Sequence, residues 1–272
     1  MQLLRYRPQP PLADFVDLLW LSHGPAPAHQ MERLLPDTTM ELVINLHQDR
    51  IYLYNPDDYQ LCGATPGCLV SGPRSRYFVI DTRDQVATMG VHFRSGGAFP
   101  FFRLPAGELA DQTVALEALW GNAAAELRER LLASPTPEQK FRVFEAFLLK
   151  RLAKPLERHP AVGFGMRLLR CSGQQSVGEV VDRIGLSQRR FIQLFDEQVG
   201  LTPKLFGRVS RFQRVVQTVH KAHEVDWAGV ALDCGYYDQA HFIHDFQAFA
   251  GITPTTYLLQ RTRHLNHVPL VT

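Results

Sequence analysis

The chain has 272 residues, 45% of them hydrophobic and 21% charged, a globular composition long enough for about two domains with a sizeable core. No apolar run approaches the roughly 18 to 20 residues that span a bilayer, and Arg5 and Arg7 break the opening apolar residues of any signal peptide, so no membrane partner is expected and the cytoplasm is the expected compartment. The net charge of +2 favours neither sign of partner, and the four cysteines, Cys62, Cys68, Cys171 and Cys234, are too few and too scattered for a disulfide framework or a CxxC metal site, so they are expected to be reduced packing residues.

From about Glu41 to Phe93 the pattern favours strands. The runs Glu41 to Leu46, Ile51 to Tyr54, Tyr77 to Ile80 and Val86 to Phe93 are short, rich in β-branched and aromatic residues, and separated by Asn-Pro, Gly and Gly-Pro turn signals. They predict a small antiparallel sheet or barrel-like domain. Helical periodicity follows at Asn122 to Leu132 and Pro137 to Leu152, where Phe141, Phe144, Phe147 and Leu148 share a face. The stretch Ala153-Lys154-Pro155 reads as a domain boundary. The expected fold class is α+β, with a small β-rich domain and flanking helices over residues 1–155 and an all-α domain over residues 156–272. Charge divides at the same place: 16 Lys+Arg against 17 Asp+Glu before it, 13 against 10 after it together with seven of the 11 histidines, the direction expected if the second part meets phosphate.

The strongest signal is an internal repeat within residues 176–257. Val177, Val180, Val181 and Ile184 give one apolar helical face, and Trp227, Val230, Ala231 and Cys234 repeat it 50 residues later. Each helix opens on a capping residue, Ser176 (with Glu179 completing a capping box) or Asp226, and stops at Gly185 or Gly235. A second helix follows, capped by Ser187 or Asp238, with Phe191/Phe195 or Phe242/Phe246 four apart on a buried face. Here the offset is 51, so the second turn is one residue longer. Both units end alike, in Gly200-Leu201-Thr202-Pro203 and Gly251-Ile252-Thr253-Pro254, where Thr caps and Pro begins a further helix. One such pair fits a plain helical hairpin as well as a DNA-binding one. Two copies that agree at caps, stops and core positions, with polar residues on the outer side of each second helix, favour the helix-turn-helix, whose second helix enters the major groove.

Residues of about 160–260 resemble the DNA-binding domain of the AraC/XylS family of bacterial transcriptional regulators, most closely at Ala231, Cys234-Gly235-Tyr236, Phe242, Phe246, Gly251-Ile252-Thr253-Pro254 and Tyr257. The resemblance implies double-stranded DNA as partner, with two units on one face dipping into successive major grooves. They would be joined by a long helix, here Pro203 to His220, with Leu205, Val209, Phe212, Val216 and Val219 on its buried stripe. It also implies an N-terminal domain that senses a small molecule, forms a homodimer, or both, and RNA polymerase as a partner of an activator. The segments Pro36 to Leu46, Val91 to Arg94 and onward to Trp120-Gly121 resemble uncharacterised N-terminal domains attached to such regulators.

With Phe191, Phe195, Phe242 and Phe246 pointing inward, the residues left for base edges are Gln188, Arg189, Ile192 and Gln193 in the first unit and Gln239, Ala240, His241, Ile243 and His244 in the second. Arg suits guanine, Gln suits adenine, and Ala or Ile suits a thymine methyl. Arg190, Arg208 and Arg211 are expected at phosphates. Where the family often places Arg two residues before the second aromatic, this chain has Gln193 and His244, and Asp196-Glu197 replace basic residues after the first unit's aromatic. No cofactor or metal is expected. His23, His29, His47 and His92 are too widely spaced for a local metal motif, Asp37 reads as a turn residue rather than a partner for Glu41, and the common nucleophile, phosphate-loop and zinc-protease signatures are absent. An enzyme or metal sensor, and a domain that only dimerises through the helices of residues 122–152, remain the rival readings of the N-terminal part.

Overall fold

The computed structural model describes residues 2–25, 29–83, 85–171, 176–222 and 224–270; the side chain of Cys171 lies outside what is described. In chain order the elements are strands β1 (Gln2–Tyr6), β2 (Val16–His23), β3 (Met31–Leu34), β4 (Glu41–Asn45), β5 (Arg50–Tyr54), β6 (Leu61–Pro66), β7 (Cys68–Ser71), β8 (Phe78–Asp81), β9 (Ala87–Phe93) and β10 (Thr113–Ala115). Helices follow: α1 (Leu116–Trp120), α2 (Ala123–Ala133), α3 (Pro137–Lys150), α4 (Pro160–Cys171), α5 (Val177–Ile184), α6 (Gln188–Val199), α7 (Pro203–His220), α8 (Trp227–Asp233), α9 (Gln239–Ala250) and α10 (Pro254–Gln260). A last strand, β11 (His267–Pro269), closes the chain. The α+β class holds, but strands begin at Gln2 and continue to Ala115, well outside the 41–93 window that periodicity suggests.

The strands form two antiparallel sheets. The first has the order β1-β2-β9-β4-β7-β10, and the second β11-β3-β8-β5-β6. At the centre of the first sheet, Gly90 on β9 lies opposite Trp20 and Val43. A Cβ there would come within 2.5 Å of the Leu42 carbonyl and 2.6 Å of the Trp20 ring, so only glycine lets the indole lie flat across the strand. The Trp20 indole N–H then reaches Glu41 Oε1 at 2.7 Å. Between the sheets Val43, Asn45, Tyr52, Asp81 and Thr88 line a cleft of about 30 Å³, room for little more than water.

The first sheet packs its inner face, including Leu19, Leu42, Ile44, Val70 and Val91, against α1, α2 and α3. The phenylalanine stripe Phe141, Phe144 and Phe147 is part of this intramolecular core. Cys68 is buried there and its thiol is pushed up to about 12 by desolvation, which makes it inert packing; Cys62, Cys68 and Cys234 are free thiols. The expected boundary near Pro155 is tied back to this core, since the Ala153 and Lys154 N–H groups both donate to the Pro100 carbonyl. Two further cores lie in the helical part, one around Val180, Phe191 and Phe195 and one around Val209, Phe212, Phe242 and Phe246. The last also takes in Leu35 from the N-terminal part and Val268 of β11. No described helix is long and apolar enough to cross a membrane.

Candidate nucleic-acid interface

Each half of the repeat is built by the local chemistry that the sequence carries. Ser176 Oγ accepts the Glu179 N–H at 3.2 Å while Glu179 Oε2 accepts the Ser176 N–H at 2.8 Å, the reciprocal capping box that starts α5. Gly185, at φ +72°, ends it in the left-handed conformation that favours glycine. Ser187 then caps α6, whose Phe191 and Phe195 meet edge to face inside the first unit. In the second unit Asp226 caps α8, Gly235 turns at φ +85°, and Asp238 Oδ1 accepts the His241 N–H at 2.7 Å to start α9. Phe242 and Phe246 repeat the edge-to-face pair. Gly200 and Gly251 end the second helices at φ +83° and +67°, and Thr202-Pro203 and Thr253-Pro254 open α7 and α10.

The outer faces carry the expected side chains. Gln188, Arg189, Arg190 and Gln193 are exposed on α6 and Ile192 is half-buried; Gln239, Ala240, His241 and His244 are exposed on α9 and Ile243 is half-buried against the core. Arg190 Nη1 donates to Gln193 Oε1 at 3.1 Å. Arg208 and Arg211, expected at phosphates, are half-buried and each bonds a group of the second unit. Arg208 Nη2 pairs with Asp245 Oδ1 at 2.5 Å, where the aspartate side chain is only 3% exposed, and its guanidinium lies over the Phe249 ring. Arg211 donates to the Gly235 carbonyl at 2.9 Å and covers the Tyr236 ring at 4.8 Å. Both lash α7 to α9 and its preceding turn. Burial pushes the Tyr236 phenol far above its ordinary range.

The acidic end of α6 also has an internal explanation. A Cβ on Gly107 would meet the Asp196 carboxylate within 2.6 Å, so Asp196 faces the N-terminal part. Beside it Val199 packs on Gly96, Gly200 lies against the Ala106 carbonyl, and Gln198 Oε1 accepts the His159 N–H at 3.1 Å. The second unit is held at the equivalent place. The Tyr77 N–H donates to the Phe249 carbonyl at 2.8 Å, and the Tyr77 ring lies where a side chain on Gly251 would sit. From α7 the buried Gln213 amide donates to the Pro36 carbonyl at 2.7 Å and to Asn266 Oδ1 at 3.0 Å. β11 then pairs antiparallel with β3, His267 opposite Leu34. Glu32 on β3 is gripped by His29 and, at 2.6 Å, by His267 Nδ1, and these bonds outweigh its desolvation to hold its carboxyl below the usual range.

Residues 180–260 match a family described as a helix-turn-helix domain. They form an AraC-type helix-turn-helix domain. Residues 4–115 match a domain of unknown function (DUF6597). No curated protein matches the chain. Among solved structures, ToxT from Vibrio cholerae O395 is 10% identical, covering 90% of this chain and 97% of ToxT with a TM-score of 0.48. The same protein bound to (E)-4-(8-methylnaphthalen-1-yl)but-3-enoic acid gives 12%, 89%, 97% and 0.49. A Chromobacterium violaceum regulator with an AraC-type DNA-binding domain is 22% identical, covering 38% of this chain and 94% of that one with a TM-score of 0.35.

The two units of the AraC-type domain differ in charge in a way that the count over residues 156–272 hides. From Ala222 to Gln260 there is no Lys or Arg, but five carboxylates: Glu224, Asp226, Asp233, Asp238 and Asp245. The arginines of α6 and α9 are therefore Arg189 and Arg190 of the first unit alone, both exposed. Among the described residues no three His, Cys, Asp or Glu side chains are grouped to hold a metal ion.

Proposed function

We propose that this AraC-type DNA-binding regulator reads double-stranded DNA with α6 and α9 in successive major-groove segments, held to one face of the duplex by α7, with residues 156–272 reading and residues 1–155 controlling. One observation carries the reading: both second helices turn their phenylalanine pairs inward and a largely polar face outward, Gln188, Arg189 and Gln193 on one and Gln239, His241 and His244 on the other. Base reading belongs to these faces together with Ala240, Ile192 and Ile243, and Arg190 supplies a phosphate contact.

The test begins with a duplex selected from random DNA. Major-groove segments on one face lie about 10 to 10.5 bp apart. Inserting five base pairs between the two halves turns one to the far side, and affinity falls to the level of one unit. Ten inserted base pairs do not restore it, because α7 cannot stretch by a further turn. Equal affinity for all three duplexes would mean that a single unit engages DNA.

Control by a small molecule belongs to the same proposal. Its support is the direct packing of the N-terminal part on the ends of both reading helices, through Gly107 and Asp196 and through Tyr77 and Phe249. A metabolite that binds residues 1–155 is expected to change DNA affinity; one that binds and leaves affinity unaltered would separate the two parts. A homodimer and contact with RNA polymerase remain part of the reading, tested by mass in solution at micromolar and nanomolar concentration and by transcription from a selected site.

A further inference from the structure

The extra residue in the second turn has an identity and a place. In the first unit the turn runs Gly185-Leu186-Ser187, and Leu186 packs on the first unit's core. In the second it runs Gly235-Tyr236-Tyr237-Asp238. Tyr236 takes the inward position at 1% exposure, so Tyr237 is the inserted residue, and it is 87% exposed. Among the described residues it has no hydrogen-bond or ring partner. A ring so exposed adds nothing to the core, and its hydroxyl needs no protein partner because water supplies one.

Its neighbours give it a use. Tyr237 directly precedes Asp238, the cap of α9, and stands beside Gln239, Ala240 and His241, the first exposed residues of the reading helix. The Asp238 carboxylate is spent on the His241 N–H. Between Ala222 and Gln260 no side chain carries a permanent positive charge, and the two guanidiniums that reach this unit from α7, Arg208 and Arg211, are already bonded to Asp245 and to the Gly235 carbonyl, so the segment's own hold on phosphate has to come from neutral donors or imidazoles. A tyrosine hydroxyl is one of the neutral groups that bond phosphate oxygens, and placed at the groove edge it fixes register without reading sequence.

We propose that Tyr237 is a DNA-backbone contact of the second unit, its hydroxyl donating to a phosphate at the edge of the segment that α9 reads. This rests on the DNA-reading role proposed above. The two units then divide the work: Arg189 and Arg190 supply the ionic hold, and the second unit binds through uncharged donors. A protein partner for the ring is the competing occupant. DNA is favoured because the exposed residues that follow the Asp238 cap, Gln239, Ala240 and His241, lie on the proposed reading face.

The test uses the full chain on a selected duplex and on several single-base variants, each titrated at two or more salt concentrations. Hydrogen bonds to charged groups contribute enough that Tyr237→Phe is expected to weaken binding to every duplex alike by about tenfold. The slope of log affinity against log salt stays as in the parent chain, because a neutral donor neutralises no phosphate. Arg190→Ala, in contrast, is expected to make the slope shallower. Tyr237→Phe binding as tightly as the parent overturns the proposal, whether or not Tyr237→Ala is weaker, and leaves the ring for a protein partner. A loss confined to one base position also overturns it, by making Tyr237 a base reader. If the parent chain binds no duplex at low salt, the DNA-reading role fails first, which the parent titration reveals by itself.

Discussion

Removing the Arg208 side chain separates a structural role from a phosphate-binding one. The Arg208→Ala change would leave the Asp245 carboxylate buried at 3% exposure with Oδ1 stripped of its partner and Oδ2, already buried without one, in the same condition. Breaking one side of a buried ion pair costs about 3 to 5 kcal/mol. The arginine side chain is 36% exposed, so water screens the pair in part and the lower end, about 3 kcal/mol, applies. Because the pair ties α7 to α9, the loss should fall on the second unit. Amide exchange over α9 reads it locally, and about 3 kcal/mol corresponds to exchange faster by roughly a hundredfold. Removing both charges, as in Arg208→Met with Asp245→Leu, should recover most of the loss, since an apolar pair of similar volume leaves no orphaned charge. Exchange over α9 unchanged by Arg208→Ala, together with a shallower salt dependence of DNA binding, would refute the argument and return Arg208 to the phosphate backbone.

Gly90→Ala forces a Cβ to within 2.5 Å of the Leu42 carbonyl in the middle of the first sheet, and is expected to lower stability by at least 1 to 3 kcal/mol in urea denaturation; a neutral effect would mean the Trp20 packing is loose. Ser176→Ala removes one arm of the capping box and should cost about 1 kcal/mol in the first unit, seen as a lower Tm, with Ser176→Asp retaining most of it. His220, beside the Tyr257 hydroxyl, is held below its ordinary value of about 6.5 by desolvation first and then by Arg261 and Lys221. The unfolded chain therefore takes up a proton at this site before the folded one does. Its contribution is complete above about pH 6.5 and is lost as pH falls toward the depressed folded value, so exchange protection of α10 should weaken in mild acid and His220→Gln should flatten that dependence. Protection that rises in acid would show the sign to be wrong.

The parts legible in the sequence are those decided within a few residues. Caps at Ser176, Ser187, Asp226 and Asp238, stops at Gly185, Gly200 and Gly251, and the span of α7 all follow from side chains adjacent to the backbone groups that they satisfy. The outward faces of α6 and α9 follow from the phenylalanine spacing. What escaped depends on partners far away in sequence. Arg208 looks like a free cation on α7 until the crossing with α9 brings Asp245 to it. Asp196 looks like a poor phosphate neighbour until Gly107, from a turn in the N-terminal part, supplies the space it occupies. Strands β6 and β7 are broken in sequence by Gly63, Pro66 and Gly67, and β2 reads as an apolar run without alternation, so pairing rather than periodicity defines them. The lack of cations from Ala222 to Gln260 was visible in the sequence, and a count over a window as wide as the whole C-terminal part averages it away.

The β11 strand bears on how such a regulator can be recombined. Its hydrogen bonds go to β3, and Val268 and Leu35 fill the second unit's core together, so the last strand of the helical part is completed by the N-terminal part. A chimera joined near Pro155, carrying a foreign helix-turn-helix part, would arrive with a tail shaped for another sheet and a second unit lacking its own Leu35. Exchange of the helix-turn-helix part would work only if the β3 segment from Met31 to Pro36 travelled with it, which makes two stretches far apart in the chain a single inheritable unit.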